Sequence, residues 1–346
     1  MRMTCGCHIV PPKLIDRLAR DRRLDAATRR AFADTARMEP LWRGLRGVQS
    51  AAVTAQRGML RALAVPAAKP VVSVYDCEHG RSLPGKPLSN PGRSTDRTAR
   101  RTFVETTAVA KFYQTCFGRY SVDNEGMTLL SSIHYGRSYN NAFWDGRQMT
   151  YGDGDGQIFL DFTLSDDVIA HELTHGVTQF SAGLEYEEQP GALNESVSDV
   201  FGSMFRQWRA KQGVEQADWL IGADIMGPAA RARGYACLRD MARPAAKHCL
   251  SPQPAHMRDY IAGGDPHDNS GIPNHAFQLC ATALGGRSWQ RAGKLWYAAL
   301  TSPQAKPSLS FSGFAALTRQ AARSLFAAEP AVLQAVNAAW KAVGVK

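Results

Sequence analysis

The chain is most constrained by residues 171–175, His-Glu-Leu-Thr-His, which set two histidines four positions apart. The flanks predict a helix around them, with Ser165 as a suitable N-cap. Residues four apart differ by about 40° around a helix axis, so His171 and His175 can share one metal ion. Glu172 projects about 100° from His171, near the ion without being aimed at it, where it could serve as a general base.

A third ligand must come from elsewhere, because a catalytic zinc ion keeps three protein ligands and one open position for water. Glu195 is the best candidate, on a second predicted helix over residues 192–210. Asp199 follows one turn later on the same face, where it could orient a histidine ligand, and Asn194 lies beside Glu195. Both elements together are far more specific than the first motif alone, whose ordinary explanation is a helix with half-buried histidines. The predicted ligands of one catalytic Zn²⁺ are His171, His175 and Glu195.

Composition narrows the class of protein. A chain of 346 residues with 44% hydrophobic residues can bury a sizeable core, and no stretch approaches about 18 consecutive apolar residues, so no membrane span is expected. Residues 1–61 carry 13 Lys+Arg against 5 Asp+Glu, or +8 of the net +10, so a nucleic-acid partner is not expected either. The seven cysteines are odd in number and irregularly spaced, which implies no disulfide scaffold, although a Cys237–Cys249 pair stays open.

The pattern of secondary structure changes along the chain. Strand patterns separated by turn residues run from residue 71 to 164, with one helix at about 98–117, and almost all later signals are helical. The predicted strands cover residues 71–75, 129–135, 148–151 and 158–162. The predicted later helices cover residues 166–182, 192–210, 272–284, 287–300, 311–326 and 330–342. The predicted fold class is therefore α+β, a β-rich part followed by an all-α part.

The head of the chain, residues 1–60, is predicted to be a separate module. Residues 13–39 follow two prolines that suit a helix start, and their apolar spacing predicts one or two helices. An Ala-, Arg- and Gly-rich stretch at 43–70 is typical of an exposed linker, in which proteolysis could occur.

From about residue 71 to its end the chain resembles the thermolysin family of zinc metalloendopeptidases. The most specific matches besides residues 171–175 are Asn140–Trp144, Tyr151–Gly156 and Asn269–Ile272. The short head with Val10-Pro11-Pro12 resembles the propeptide of the protealysin-like subgroup. The resemblance implies a two-lobed peptidase made as a proenzyme. Its parts would be a propeptide and linker at 1–60, an α+β lobe at 61–185 and a helical lobe at 186–346, with the zinc-binding helix joining the lobes.

The resemblance also implies roles for residues that do not bind the metal. Tyr186 and His267 would stabilise the oxyanion that forms during peptide hydrolysis, and Arg239 would bind a substrate carbonyl. Asn141 and Ala142 resemble the edge strand that holds a substrate backbone by strand addition. Each of these residues could also be an ordinary core or surface residue.

Four apolar residues match the family's pocket for the residue after the scissile bond. Such a pocket implies cleavage before Leu, Phe, Ile or Val. Ordinary core packing is the alternative, because apolar residues are usually buried. The four residues are Phe159, Phe162, Val168 and Leu238.

The first departure from the family concerns calcium. Where the family has acidic residues around a pair of calcium ions, this chain has Arg206, Leu220 and Ala223, which leaves Asp167 isolated. Since calcium needs several oxygen ligands, the double calcium site is expected to be absent. The Gly-Asp-Gly-Asp-Gly run at 152–156 lacks the final Glu of an EF-hand and predicts a turn without a metal.

The second departure concerns the support of His267. The family's acidic partner five residues earlier is Ala262 here. Either Asp265 or Asp268 could replace it, or the histidine could titrate at a lower pH.

The head could keep the enzyme latent in two ways. Residues Ile9–Pro12 could pack beside the cleft and block it sterically. Alternatively, Cys5 or Cys7 could occupy the open zinc position, because thiolates are strong zinc ligands. A basic helical decoration without inhibitory function is the remaining interpretation.

Two other functions, a zinc aminopeptidase and a catalytically silent binding protein, are alternatives to the endopeptidase. A zinc aminopeptidase normally has one residue fewer between its second histidine and its glutamate, and a Gly-x-Met-Glu-Asn motif that is missing here. A catalytically silent binding protein with structural zinc is disfavoured by Glu172, Tyr186 and His267. The opening residues lack the apolar core of a signal peptide, so we expect secretion by another route or, alternatively, a cytoplasmic location. The expected partners are protein or peptide substrates and the chain's own propeptide.

Overall fold

The head begins with a strand and two helices. The computed structural model describes residues 7–38 and 71–346, so Cys5 and the predicted linker at 43–70 lie outside the described residues. Strand β1 (Cys7–His8) leads into helix α1 (Pro12–Arg20) and then helix α2 over residues 26–38. Proline suits the first turn of α1 because its missing N–H would be unpaired there in any case.

A six-stranded sheet follows, and the head supplies its edge. Its other strands are β2 (Val72–Asp76), β3 (Lys86–Pro87), β4 (Leu129–Ile133), β5 (Ala142–Trp144) and β6 (Met149–Tyr151). The order is β1-β5-β6-β4-β2-β3, with parallel pairing of β2, β4 and β6 and antiparallel pairing elsewhere. Helix α3 (Arg97–Phe117) packs on this sheet.

The rest of the chain is mainly helical, as the sequence predicts. The helices are α4 (Asp166–Gln179), α5 (Glu188–Ala210), α6 (Pro228–Ala232), α7 (Pro266–Asn269), α8 (Gly271–Leu284), α9 (Ala292–Leu300), α10 (Phe311–Leu325) and α11 (Pro330–Ala342). Strands β7 (Leu220–Ile221) and β8 (Arg239–Asp240) form a second small sheet. Within the described ranges, every helix is too short or too polar to cross a bilayer. The predicted α+β class is confirmed.

Some predicted bounds are wrong. Residues 158–162 form no strand: Phe159 makes one isolated bridge to Met226, and a 3₁₀ turn (Phe162–Leu164) follows. The Asp161 side chain accepts a hydrogen bond from the Thr163 backbone, so local capping overrides the apolar run. The helix predicted from residue 287 begins only at Ala292.

Helices α4 and α5 pack closely, and their contact positions the site. Ser165 lies at the N-cap of α4, although its hydroxyl makes no cap hydrogen bond. Gly202 of α5 allows the close approach, because a Cβ there would lie only 2.7 Å from the backbone oxygen of Asp167. Side chains on the facing sides of the two helices are therefore brought together in a buried layer.

Candidate active site

Three buried side chains with metal-binding atoms, His171, His175 and Glu195, converge between α4 and α5. The Nε2 atoms of His171 and His175 lie 3.0 Å apart. Glu195 places Oε2 3.4 Å from His171 Nε2 and Oε1 3.5 Å from His175 Nε2. Ligands of one tetrahedral zinc ion, bonded at 2.0–2.1 Å, lie roughly 3.3 Å apart. The observed separations therefore fit a zinc ion bound by these three side chains.

The outer nitrogens of both imidazoles have acceptors. His171 Nδ1 lies 2.9 Å from Asp199 Oδ1, and His175 Nδ1 lies 2.9 Å from Asn194 Oδ1. The Asn194 amide nitrogen donates to the backbone oxygen of Leu184 at 3.3 Å, which leaves its oxygen toward the histidine. With protons on both Nδ1 atoms, both Nε2 lone pairs point at the same place, where a cation relieves their repulsion.

The centre attracts positive charge. Burial lowers the pKa of His171, but the Asp199 and Glu195 carboxylates outweigh burial and raise that pKa to about 9. Burial raises the pKa of Asp199, but the guanidinium of Arg239 and then His171 lower it to about 2. The two carboxylates thus favour positive charge at the imidazoles, and a divalent metal bound to the neutral rings would supply that charge.

Asp199 connects the metal ligands to the predicted substrate residue Arg239. It accepts two hydrogen bonds from Arg239, at 2.8 Å from Nε and 2.7 Å from Nη2. The amide of Asn274 donates to it at 2.9 Å. Sequence reasoning missed Asn274, for which the available signal was a buried asparagine in the apolar helix α8.

Glu172 is fully buried next to His171. Burial and then the charge of Glu172 raise the pKa of Tyr151 on strand β6. Helix α4, which carries Glu172, contacts strands β5 and β1.

His267 has Asp265 as its acidic partner. Its Nδ1 lies 2.5 Å from Asp265 Oδ1. Asp268 instead completes the capping box of α7, accepting from the Asp265 amide at 3.0 Å and from Lys13 at 2.6 Å. Burial lowers the pKa of His267, but Glu195 and Asp265 outweigh burial and raise that pKa to about 9. This direction is opposite to the lower titration that the loss of the usual partner suggested.

Tyr186 and His267 lie on either side of Glu195. The Tyr186 hydroxyl donates to Glu195 Oε1, and His267 Nε2 lies 3.2 Å from Glu195 Oε2. Their ring centroids are 6.3 Å apart. Both predicted oxyanion donors are thus grouped around the predicted metal ligands.

Residues 7–10 of the head occupy the groove between the edge strand β5 and the side chains of Arg239 and His267. Strand β1 pairs antiparallel with β5, with Cys7 opposite Trp144 and His8 opposite Phe143. The Ile9 amide continues this pairing and donates to the Ala142 carbonyl oxygen at 3.1 Å. The edge strand predicted to hold a substrate backbone therefore holds the head.

Side chains of the groove bind the same segment. Arg239 Nη1 donates to the Ile9 oxygen at 2.8 Å, and His267 Nε2 lies within hydrogen-bonding distance of the His8 oxygen. Asn141 accepts from the Val10 amide at 3.0 Å and donates to the Val10 oxygen at 3.1 Å. The predicted oxyanion donor His267 and the predicted substrate-binding residues Arg239 and Asn141 thus contact successive peptide groups of the head.

The four predicted pocket residues are fully buried and belong to one hydrophobic cluster together with Ile9. Phe32 of α2 packs its ring against that of Phe159, with centroids 6.0 Å apart. The head therefore contacts this region through the aromatic side chain of Phe32. The pocket residues are Phe159, Phe162, Val168 and Leu238.

A second charged cluster lies at the N-terminal end of α4. Arg206 Nη1 lies 3.3 Å from Asp166 Oδ1 and also contacts Asp224 Oδ2, and Nη2 lies 3.9 Å from Asp218 Oδ2. Asp167 accepts from the Gly222 amide at 2.8 Å. A guanidinium thus lies among the carboxylates in the region where the family's calcium pair was expected to be missing.

The run at residues 152–156 contains the predicted turn. Asp155 Oδ1 accepts from the amides of Gln157 at 2.6 Å and Ile158 at 2.7 Å. Asp153 instead pairs with His134 at 2.8 Å and with His79 at 3.2 Å, a contact that sequence reasoning missed. The interacting residues are far apart in sequence, which is why the motif gave no signal for it.

The thiols of Cys237 and Cys249 are neighbours. Their Sγ atoms lie 4.0 Å apart, and their backbones form an isolated bridge. The two thiols are adjacent and not bonded to each other.

Comparison with known proteins places this geometry. Residues 67–179 match the sequence model described as thermolysin metallopeptidase, catalytic domain, and residues 182–345 match the thermolysin metallopeptidase, alpha-helical domain. The chain is 43% identical over 293 residues to an extracellular metalloprotease of Pectobacterium carotovorum subsp. carotovorum, covering 82% of this chain and 83% of the relative. It is 40% identical to protease PrtS of Photorhabdus sp. (strain Az29), covering 79% of this chain and 76% of the relative.

One solved structure is similar over nearly the whole chain. It is the precursor of protealysin, a metalloproteinase from Serratia proteamaculans, with a TM-score of 0.85 and 36% sequence identity. The similarity covers 99% of this chain and 100% of the other.

Proposed function

This chain belongs to the thermolysin family of metallopeptidases, and we propose that it is a zinc-dependent endopeptidase made as a proenzyme. The predicted zinc ligands are His171, His175 and Glu195. The observation that carries the proposal is the convergence of these three buried donors, with separations of 3.0, 3.4 and 3.5 Å.

The chemistry follows from the groups around this point. A zinc ion held there would supply Lewis acidity to the attacking water and to the substrate carbonyl. Glu172 accepts the proton of the water as it attacks, and then delivers it to the leaving amine. The Glu172 side chain is fully buried on the helix that carries both histidines.

Tyr186 and His267 are proposed to bind the oxyanion. The hydrogen bond between His267 Nδ1 and Asp265 orients Nε2 toward the groove, where it contacts the His8 carbonyl oxygen. A substrate carbonyl in that place would gain the same donor as negative charge develops on it. Arg239 would hold the next carbonyl, as it holds that of Ile9.

The complete burial of the four apolar residues that match the family's pocket supports a preference for a hydrophobic residue after the scissile bond. Phe159, Phe162, Val168 and Leu238 would form the pocket, and Asn141 with Ala142 would hold the substrate backbone. Burial of one apolar side chain there contributes about 1.5–3 kcal/mol, enough to set a preference.

The head is proposed to be the inhibitor. Residues 1–60 would be the propeptide and linker, 61–185 the α+β lobe and 186–346 the helical lobe. The head fills the groove through β1 and the apolar face of α1, so it must leave before a substrate can bind. The extracellular metalloprotease to which this chain is similar suggests that this chain is secreted.

One zinc ion and no calcium pair is the proposed metal content. Arg206 lies among Asp166, Asp218 and Asp224 and brings the positive charge that calcium would bring. A fixed guanidinium in this place also repels a divalent cation.

Casein hydrolysis tests the proposal. The processed chain should cleave casein, lose this activity when a chelator removes zinc, and regain it when stoichiometric zinc is added. A peptide substrate with Leu after the cleaved bond should be preferred over its Asp analogue. Activity that survives complete zinc removal would contradict the proposal.

A further inference from the structure

We infer that Cys7 is the fourth zinc ligand of the precursor, an inference that rests on the proposed zinc site. The head would then close the active centre in two ways: it fills the groove, and its thiolate takes the position that catalysis needs for water. Of the two cysteines considered from the sequence, Cys7 is the one within the described residues.

The first support is the position of the sulfur. Cys7 Sγ, a ring nitrogen of His175 and a carboxylate oxygen of Glu195 all lie within 4.8 Å of one another. Cys7 is completely buried, so its thiol is enclosed beside His175 and Glu195, two of the three predicted zinc ligands. Zinc binds thiolate sulfur at about 2.3 Å and accepts mixed Cys and His ligands in closed sites, so sulfur suits the fourth position.

The second support is that the backbone fixes Cys7 in this place. The residue pairs with Trp144 of β5, and the next two residues are bound through the Ala142 carbonyl, Arg239 and His267. Sulfur is therefore delivered by an ordered strand and need not be recruited from a mobile tail. The entropic cost of the additional bond is correspondingly small.

The third support is the orientation of the bound segment. The His8 carbonyl oxygen contacts the predicted oxyanion donor His267, and Arg239, predicted to bind a substrate carbonyl, donates to the Ile9 oxygen. The His8–Ile9 peptide bond thus lies where a scissile bond is expected. A segment held this way is a substrate unless the attacking water is kept away.

A zinc-bound sulfur solves this problem. Deprotonated Cys7, its proton released to solvent, would give the ion four protein ligands and leave no position for the attacking water. Departure of the head, with the thiol reprotonated from solvent, would make that position available again.

X-ray absorption at the zinc edge tests the inference directly. The sample is the zinc-loaded full-length Glu172→Gln chain, which should remain unprocessed. We expect one sulfur scatterer at about 2.3 Å beside nitrogen and oxygen at about 2.0–2.2 Å. The same chain with Cys7→Ser should show only nitrogen and oxygen, and Cys116→Ser, on α3, should keep the sulfur.

The outcomes separate this inference from the proposed function. One equivalent of zinc with only nitrogen and oxygen ligands in the parent would overturn the inference and leave the zinc site standing. A sulfur signal that survives Cys7→Ser would also overturn it. A correctly folded parent that binds no zinc would overturn both together.

Maturation kinetics give a second readout in the otherwise natural chain. Loss of the head should begin several-fold sooner in the Cys7→Ser chain than in the Cys116→Ser control, at equal zinc content. An unchanged lag in a chain of normal circular dichroism would contradict the inference.

Discussion

Helices α4 and α5 carry two charged clusters that solve the same problem differently. At His171, His175 and Glu195 we propose that a bound zinc ion supplies a positive charge from outside the chain. Near the N-terminal end of α4, Arg206 supplies the positive charge from within. An ion that does chemistry must keep an exchangeable position, whereas a charge that only neutralises carboxylates can be a side chain.

This difference separates the expected effects of mutation. Changes at the zinc centre should reduce metal binding or turnover and spare the fold, because the helices are buried mainly through apolar side chains. Changes at the Arg206 cluster should alter stability and spare turnover. Four predictions test this separation.

The largest effect is expected for Glu172→Gln. The amide cannot accept the proton of the attacking water, so kcat/KM should fall by about 10²–10⁴ or more. Zinc content should remain near one equivalent because the three ligands are unchanged. Steady-state hydrolysis of a fluorogenic peptide and metal analysis measure the two quantities.

Glu215→Gln is the matched control, because Glu215 is exposed and distant in sequence from both helices' ligands. It should keep full activity. Retention of activity in Glu172→Gln would remove Glu172 from the mechanism and leave the zinc centre without its base.

Asp199→Asn should weaken zinc binding about 10–100-fold. Asp199 accepts from His171 Nδ1, and loss of this charged acceptor lowers the basicity of the ligand nitrogen. Competition with a chromogenic chelator measures the affinity. Asp218→Asn, in the Arg206 cluster, should leave it unchanged; equal losses in both variants would erase the distinction between the clusters.

Arg206→Met should lower the free energy of unfolding by about 1–3 kcal/mol, between the cost of breaking surface and buried ion pairs. Three carboxylates would lose a shared guanidinium that is only 24% exposed. Urea titration measures the change, and kcat/KM should stay within about twofold. Arg209→Met removes a guanidinium that is 43% exposed and pairs with Glu105, and it should cost less. A larger loss in Arg209→Met would contradict the importance of the cluster.

The smallest effect is a pH dependence at Asp166. Burial and then the neighbouring Asp167 raise the pKa of Asp166 to about 6, above the ordinary value of 3.8. The folded state therefore holds this proton more tightly, so the contribution of Asp166 to stability falls as pH rises from about 4 to about 6 and is constant above that. This difference in pKa corresponds to an upper limit of ~3 kcal/mol. The partial exposure of Asp166 and the nearby guanidinium of Arg206 should keep the change well below that limit.

Asp166→Asn removes the titrating group and should flatten the stability profile between pH 4 and 6, an interval set by the two pKa values. Urea unfolding at several pH values in this interval measures the slope. An identical slope in both proteins would assign the pH dependence to other groups.

Sequence reasoning succeeded where the chemistry is local. The pairing of His171 with His175 follows from helical spacing, and Asp199 follows from one turn beyond Glu195. The strand predicted at 158–162 was wrong because capping by Asp161, a side-chain interaction, decided the backbone there.

Contacts between distant segments were beyond the sequence. The choice of Asp265 over Asp268 as the partner of His267 depends on Lys13 and on the cap of α7. Loss of calcium ligands could be anticipated, but the placement of Arg206 among carboxylates from three segments could not. Such arrangements depend on how elements pack, which hydrophobic periodicity does not specify.

The central claim is that a zinc centre on α4 and α5 drives peptide hydrolysis once the head has left. Intact-mass and N-terminal analysis of the purified chain over time, with and without a zinc chelator, tests it most directly. We predict chelator-sensitive loss of the head by a cut within the linker at 43–70, followed by casein hydrolysis. A chain that loses its head at the same rate with zinc removed, or that stays inactive after losing it with zinc present, would contradict the claim.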